Sequence, residues 1–328
     1  MKSKLIVIIL SLTVLLTACP GPQKPETIPS VSLREEWFPS ACFAGDMMAM
    51  NETGKANMIN IKIEAGAEDV DPVKLVIAGS NDFGVAGADR IITANSKGAD
   101  LVIIGVINFK TPTVFISLKD KNITKPKDFE GKYVGVMTGN NTEYVYRSLI
   151  QKSGVAPKKI NEVEAPFDLA TFIAKAYDVR PAFVYDELVS LDAQGIEYNT
   201  IRPEDYGVNF IGPVIFAKRE FVEKNKDTVQ KFVNALAGGW QAALNNPAQA
   251  IEYLKQFDAN VDAGRETKSL IKGHDYFIGE DGKPLFLSEQ RWNLFVNELI
   301  DLKLISSEDG KRNVFDSSFV NNYYKGSK

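Results

Sequence analysis

DFGVAGADRIITANSKGADLVIIGVI, residues 82–107, is the stretch whose reading decides the fold. DFGVAG reads as a strand, DRIITANSKG carries apolar positions at helical spacing, and LVIIGVI is a nearly continuous apolar run of strand length. A strand, a helix and a second strand with no solvent face predict an α/β fold built on a parallel-type sheet. The pattern extends outward. VSLREEW precedes it as a strand, DMMAMNET as a helix, and MINIKIE as a strand with Ile59, Ile61 and Ile63 on one side. It repeats more briefly further along, in YVGVM, the helix TEYVYRSLIQKSG, INEVEA, the helix DLATFIAKA, PAFVYD and the helix ELVSLDAQG.

After FIGPVIFAK, residues 210–218, only helical patterns remain. One runs through KDTVQKFVNALAGGWQAALNN, and the next is announced by Asn246 as N-cap with Pro247 at the first helical position. AGRETKSLIKG, SEQRWNLFVNELIDLK and DSSFVNNYYK follow. A helical third that cannot build its own sheet is expected to pack back on the first one, which makes that domain discontinuous. TVFISL and PVIFA flank the inserted unit, so residues 31–116 with 213–328 are expected to form one lobe and 117–212 the other.

The chain has 328 residues and a formal charge of −4. It opens MKSKLIVIILSLTVLLTAC, in which Lys2 and Lys4 precede an apolar run too short to span a bilayer comfortably, as a signal peptide over residues 1–18 does. Leu16-Thr17-Ala18-Cys19 resembles the lipobox of bacterial lipoproteins, which implies a diacylglycerol on Cys19 and a body held at the membrane from outside the cytoplasm. Residues 19–30, CPGPQKPETIPS, read as a tether. Loss of Lys2 and Lys4 takes the charge from −4 to −6, and no basic cluster survives, so a nucleic-acid partner is not expected. Cys42 is then the single thiol, which leaves no intrachain disulfide.

EEWFPSACFAGDMMAM, residues 35–50, surrounds Cys42 with Trp37, Phe38 and Phe43 and places Asp46 nearby. It reads as a nucleophile, a ring wall for a flat ligand, or the start of a core helix. The nucleophile reading needs a base; the chain's one histidine, His274, lies in the helical tail, and no lysine neighbours Cys42. The same count removes His-cluster metal sites and Ser-His-Asp machinery, and no cofactor is expected. Trp240 lies at helical spacing with Val233, Leu236 and Leu244, so it reads as core, as do Met47, Met48 and Met50.

Four pieces, in this order, resemble ABC-transporter solute-binding proteins of the class that takes thiamine pyrimidines, nitrate, sulfonates and taurine. They are EEWFPSACFAG, VIAGSNDFGVAGADRI, TPTVFISLKDKNITKPKDFEGKYVGV and VNALAGGWQAALNNPAQAIEYL. Within the class, Trp37-Phe38-Pro39 six residues before Gly45 resembles the thiamine-pyrimidine binders, although Cys42 and Phe43 stand where those carry a polar run with a histidine. The resemblance implies a two-lobed type II periplasmic-binding-protein-like fold with two parallel-type sheets flanked by helices. It also implies a monomer that serves ABC permease subunits and holds a small flat heterocycle, such as a thiamine precursor or a flavin, between its lobes. A sulfonate or other oxyanion is the alternative ligand. A pyrimidine-synthase-like enzyme is the alternative of another class, but the Cys-rich motif and substrate histidine of those enzymes are missing.

Ligands of open α/β sheets sit beyond the carboxyl ends of strands. Trp37, Asn81, Asp82, Asn108 to Pro112, Thr138 to Asn141 and Tyr185 to Glu187 are expected at or near such ends, with Phe38 or Phe43 as a further stacking ring beside Trp37. Thr138, Gly139 and Asn140 open a helix and are suited to an anionic or carbonyl oxygen, unless Asn140 or Asn141 is simply the N-cap. Tyr185, Asp186 and Glu187 suit an aminopyrimidine-like edge, unless a carboxylate there caps the following helix. Tyr206 is a further candidate.

Overall fold

The computed structural model describes residues 27–326 except 68 and 140. The expected signal segment, Cys19, most of the tether and Asn140 therefore lie outside the described residues. Two mixed sheets organise the chain. The first contains β1 (Ser30–Arg34), β2 (Asn60–Glu64), β3 (Phe83–Gly87), β4 (Leu101–Val106) and β10 (Pro213–Lys218), in the order β2-β1-β3-β10-β4. β1 is parallel to β2 and β3, whereas β10 is antiparallel to both of its neighbours.

The second sheet is built alike. β5 (Thr113–Leu118) runs antiparallel between β8 (Arg180–Phe183) and β9 (Tyr198–Ile201), and β6 (Tyr133–Val136) is parallel to β7 (Asn161–Glu164). A parallel bridge between Val134 and Val179, with Gly135 N–H donating to the Val179 carbonyl at 2.7 Å, joins the two parts. The order is then β7-β6-β8-β5-β9. In both sheets the fourth strand, β10 or β5, arrives from the other sheet. It runs antiparallel because it enters from a crossing rather than from a helix laid over the sheet face. Each of the two expected sheets is thus mixed, its parallel strands joined by β10 or β5 running antiparallel.

The crossings occupy residues 107–112 and 202–212, so β5 lies wholly in the second sheet. They are hydrogen-bonded to each other: Ile107 N–H to the Pro213 carbonyl at 2.9 Å, Gly212 N–H to the Asn108 carbonyl at 2.9 Å, and Thr111 N–H to the Phe210 carbonyl at 2.8 Å. Every residue of β4 is buried although β4 ends its sheet. Its free edge is covered by the C-terminal segment, Ile103 N–H donating to the Val314 carbonyl at 2.7 Å and Val106 N–H to the Leu285 carbonyl at 3.0 Å.

The helix Lys226–Asn245 packs on the first sheet, where Phe232 stacks on Phe83 with ring centroids 3.8 Å apart. It crosses the helix Ala44–Met48 in backbone contact. A Cβ on Gly239 would stand 2.3 Å from the Gly45 carbonyl oxygen, and one on Gly45 would stand 2.1 Å from the Trp240 ring. Trp240 is fully buried and stacks on Phe277, so its reading as core holds. Other C-terminal helices do more than pack back on the first sheet. In Ala263–Lys272, Arg265 pairs with Asp186, and in Glu289–Asp301 the buried Glu298 accepts from Asn209 N–H at 2.8 Å and pairs with Lys152 at 3.2 Å.

Because the added methyl would meet backbone atoms, the Gly45 carbonyl oxygen at 2.3 Å and the Ala49 nitrogen at 2.8 Å, rather than a side chain that can turn away, Gly239→Ala should destabilise the protein by about 1–3 kcal/mol, the usual range for overpacking. Urea unfolding measures this, and an unchanged midpoint would mean that the crossing yields freely.

Candidate functional site

β1 ends at Arg34, and Glu35 prolongs its pairing by donating its N–H to the Glu64 carbonyl at 2.9 Å. Two residues on, the chain turns and delivers Trp37. The Gly66 N–H donates to the Trp37 carbonyl at 3.0 Å, and a Cβ at Gly66 would lie 2.4 Å from the Trp37 nitrogen. Only glycine permits so close an approach. It fixes the backbone while the indole projects outward, 43% exposed, with Phe38 edge-on at 5.4 Å. From the other lobe comes Phe167, 65% exposed, in the loop after β7; its ring lies 6.4 Å from Trp37 at 37°. Phe167 was not among the sequence candidates, since a single aromatic in EAPFD carries no periodic signal.

Around the rings the groups are mainly acidic. Glu36 accepts from Arg90 at 2.9 Å, and Arg90 also reaches Asp71 at 2.7 Å. Asp89, at the start of the helix Ala88–Ser96, accepts from the Asn141 amide at 3.3 Å across the two lobes. The loop opening the helix Asn141–Lys152 is where an anionic ligand oxygen was expected. Its donors are instead taken by the protein's own carboxylates: the Thr138 N–H and hydroxyl donate to Glu164 at 3.3 and 2.7 Å, and Gly139 N–H donates to Glu143 at 2.8 Å.

Several other candidates are committed elsewhere. Phe43 is buried in the core. Asn81 and Asp82 precede β3 rather than follow a strand; Asn81 accepts from Arg34 Nε at 3.2 Å, and Asp82 accepts from Ser32 N–H and hydroxyl at 2.8 and 2.9 Å. Glu187, the first residue of the helix Glu187–Ala193, turns back on the preceding strand: its carboxylate accepts from Phe183 N–H at 2.7 Å and faces Arg180 at 3.5 Å. Burial, reinforced by Asp186, pushes its carboxyl up to about 7. Asp186 pairs with Arg265. Tyr185 is buried, donating its hydroxyl to Asn108 Oδ1 at 3.2 Å, with its ring 4.8 Å from Phe277. Tyr206 is half-buried against the core. The structure thus brings Trp37, Phe38, Phe167, Glu36, Asp89 and Asn141 to the mouth between the lobes.

Cys42 lies behind this mouth, against Tyr185 and Ser40. Burial pushes its thiol up to about 12, and the Asp186 and Glu266 charges oppose ionisation further. It is therefore a thiol, not a thiolate, at neutral pH. Among the described residues no group of three or more His, Cys, Asp and Glu could hold a metal ion, and no helix is long and apolar enough to cross a membrane.

Below Trp37, Glu35 and Asp46 are fully buried without hydrogen bonds of normal geometry, and so is the Trp240 indole N–H beside them. Burial raises Glu35 well above the carboxylate range, with the Asp46 charge next in weight. Burial likewise pushes Asp46 up to about 7, opposed by the indole N–H and by Glu35. The folded protein keeps these protons while the unfolded chain, with carboxyls near 4, releases them. The contribution of Asp46 to stability is thus full below about pH 4 and is lost as pH rises through about 7, while that of Glu35, which is raised well above the carboxylate range, is lost as pH rises through its own raised value. Relative to wild type, Asp46→Asn should gain melting temperature between pH 5 and pH 8, by a few degrees at roughly 2 °C per kcal/mol. A difference that stays flat across this range would show that the pair does not titrate there.

Comparison with known proteins places the chain. Residues 55–250 match the sequence family described as NMT1/THI5 like. The chain is 22% identical over 255 residues to the riboflavin-binding protein RibY of Chloroflexus aurantiacus, covering 76% of this chain and 72% of that one. It is 25% identical over 202 residues to a 4-amino-5-hydroxymethyl-2-methylpyrimidine phosphate synthase of Legionella pneumophila, covering 60% and 64%. In structure it is similar to a putative sulfonate ABC transporter component, the periplasmic sulfonate-binding protein SsuA of Methylobacillus flagellatus. The TM-score is 0.71 with 16% identity, over 92% of this chain and 96% of that one. At that identity the structural likeness shows the fold: a type II periplasmic binding protein.

Proposed function

The chain belongs to the NMT1/THI5-like family, and on that premise we propose that it is the solute-binding protein of an ABC importer, taking a small flat heterocycle without net negative charge. The observation that carries this reading is the pair Trp37 and Phe167, two exposed rings contributed by different lobes and facing each other at 6.4 Å. A contiguous group of exposed rings, here Trp37, Phe38 and Phe167, marks a surface that a ligand covers. A flat ring held between two others needs about 7 Å, twice the ~3.5 Å contact distance of carbon atoms. A slight parting of the lobes opens that gap, and closing on the ligand restores contact from both sides. Only the closed state makes both sets of contacts, so ligand favours closure.

The lining argues for the heterocycle over an oxyanion. The helix N-terminus that would receive a sulfonate faces Glu164 and Glu143, so an anion would have to displace one carboxylate beside another. Carboxylates at Glu36 and Asp89 favour a ligand edge rich in N–H donors. The names of the two sequence relatives, a riboflavin binder and a pyrimidine phosphate synthase, both point to flat nitrogen heterocycles. Catalysis of the synthase kind is not supported by this chain's residues: Cys42 is held as a thiol, and His274 is bonded to the adjacent Asp275 at 3.2 Å.

Riboflavin and 4-amino-5-hydroxymethyl-2-methylpyrimidine, tested against an alkanesulfonate by thermal shift, decide the ligand class. One of the heterocycles should raise the melting temperature and quench tryptophan emission, and Trp37→Ala should weaken it about tenfold through lost stacking and area. A response to the sulfonate alone would reverse the assignment.

The leader and Leu16-Thr17-Ala18-Cys19 support a lipid anchor outside the cytoplasm. Cys19→Ser should abolish labelling by a fatty-acid probe and release the protein from the membrane fraction, and retention of both signals in the variant would contradict the anchor.

A further inference from the structure

Phe167 sits in a loop, residues 166–168, whose side chains are all exposed. Besides Asp168 Oδ1, which accepts from Ala170 N–H at 2.8 Å, the loop is held through its backbone carbonyls. The ordering group is visible in the neighbouring strand. Arg180, the first residue of β8, is fully buried, yet its guanidinium reaches under the loop: Nη1 donates to the Asp168 carbonyl at 2.5 Å and Nη2 to the Phe167 carbonyl at 3.1 Å, while Nε donates to the Pro181 carbonyl at 3.0 Å. Glu187 Oε1 stands 3.5 Å from Nη2, and its other oxygen accepts from Phe183 N–H at 2.7 Å, which fixes the carboxylate on the same strand.

We propose that Arg180, seated by Glu187, is a positioning residue that sets the Phe167 ring opposite Trp37; the proposal rests on the reading of these rings as the ligand clamp. The choice of side chain carries the argument. Burying a guanidinium is expensive, and an apolar residue would fill the same space without that penalty. What arginine supplies is a planar fork of fixed geometry that can hold two consecutive carbonyls at once, which the single ammonium of lysine cannot reproduce. A loop fixed before the ligand arrives loses less freedom on binding, so the arrangement contributes affinity without touching the ligand. It also accounts for the carboxylate of Glu187, on the first residue of the helix after β8, turning back onto that strand.

The test uses Arg180→Lys, Phe167→Ala and the double variant of the full chain. Two readouts need no ligand: hydrogen exchange of residues 165–169, and acrylamide quenching of Trp37, the exposed tryptophan beside the buried Trp240 and Trp292. Arg180→Lys should speed loop exchange at least tenfold and increase quenching. With riboflavin and 4-amino-5-hydroxymethyl-2-methylpyrimidine as probes, it should weaken binding about fivefold in the wild-type background and less than twofold in the Phe167→Ala background, because coupled residues are not additive. Unchanged loop exchange, or equal affinity losses in both backgrounds, would overturn the proposal. Should neither probe bind the wild type, the ligand reading fails by itself, and exchange and quenching still decide whether Arg180 holds the loop. If Arg180→Lys does not fold by circular dichroism, Glu187→Gln, which removes the seat but keeps the fork, takes its place with the same criteria.

Discussion

The two crossings between the sheets, bonded to each other from Ile107–Pro213 through Asn108–Gly212 to Thr111–Phe210, are the constraint on which the rest of the molecule depends. They form a short ladder, and a ladder resists sliding while allowing a bend. Asn108 reinforces it, because its side chain occupies the space that a Cβ on Gly212 would need. Each crossing delivers a strand that completes the opposite sheet, so the loops after β1 and β7 face one another across a fixed axis. Trp37 and Phe167 meet for that reason, although 130 residues separate them and no contact between their own elements would bring them together.

The electrostatic character of the mouth follows from what was placed there. A helix N-terminus at a cleft is ordinarily ready for an anion. Here Glu164 and Glu143 occupy it, and Glu36 and Asp89 add further carboxylates, each held by a partner of its own. Deeper, Glu35 and Asp46 are buried together under the platform that carries Trp37, and one proton between them lowers the penalty of their proximity. The region is acidic at its rim and protonated at its root.

How much of this could be read from residues alone varies by element. The α/β class was legible because LVIIGV and PVIFA are apolar throughout, and such runs are buried on both sides. Strand direction was not, since hydropathy is blind to polarity of the chain; hence the antiparallel β5 and β10. The helix Pro72–Ala78 has clear signals, Asp71 as N-cap, proline at its start and Gly79 in the left-handed conformation after its end, but it passed unread between two stronger patterns. β9, four residues without apolar alternation, offered little to read. At the site, the exposure of Trp37 was legible, because Pro39 two residues on ends the strand pattern before a helix begins. Asn81 and Asp82 look like a loop after a strand and are a loop before one. Glu187 could not be resolved, because it opens the helix after β8 and only the geometry shows its carboxylate turning back to Arg180 on that strand.

The reciprocal exchange of strands is not symmetrical in time. Strands β5 to β9 are contiguous in the chain, so the second sheet has all its members once the ribosome has passed residue 201. The first sheet does not: between β3 and β4 there is a vacancy that only β10 fills, and the edge of β4 waits for residues 285 and 314. A nascent chain therefore carries an incomplete, unpaired sheet while its younger half is already closed, and the first lobe to be made is the last to be finished. The part of the chain most exposed to misassembly is thus the one bearing Trp37, and its safety depends on the arrival of the carboxyl-terminal third.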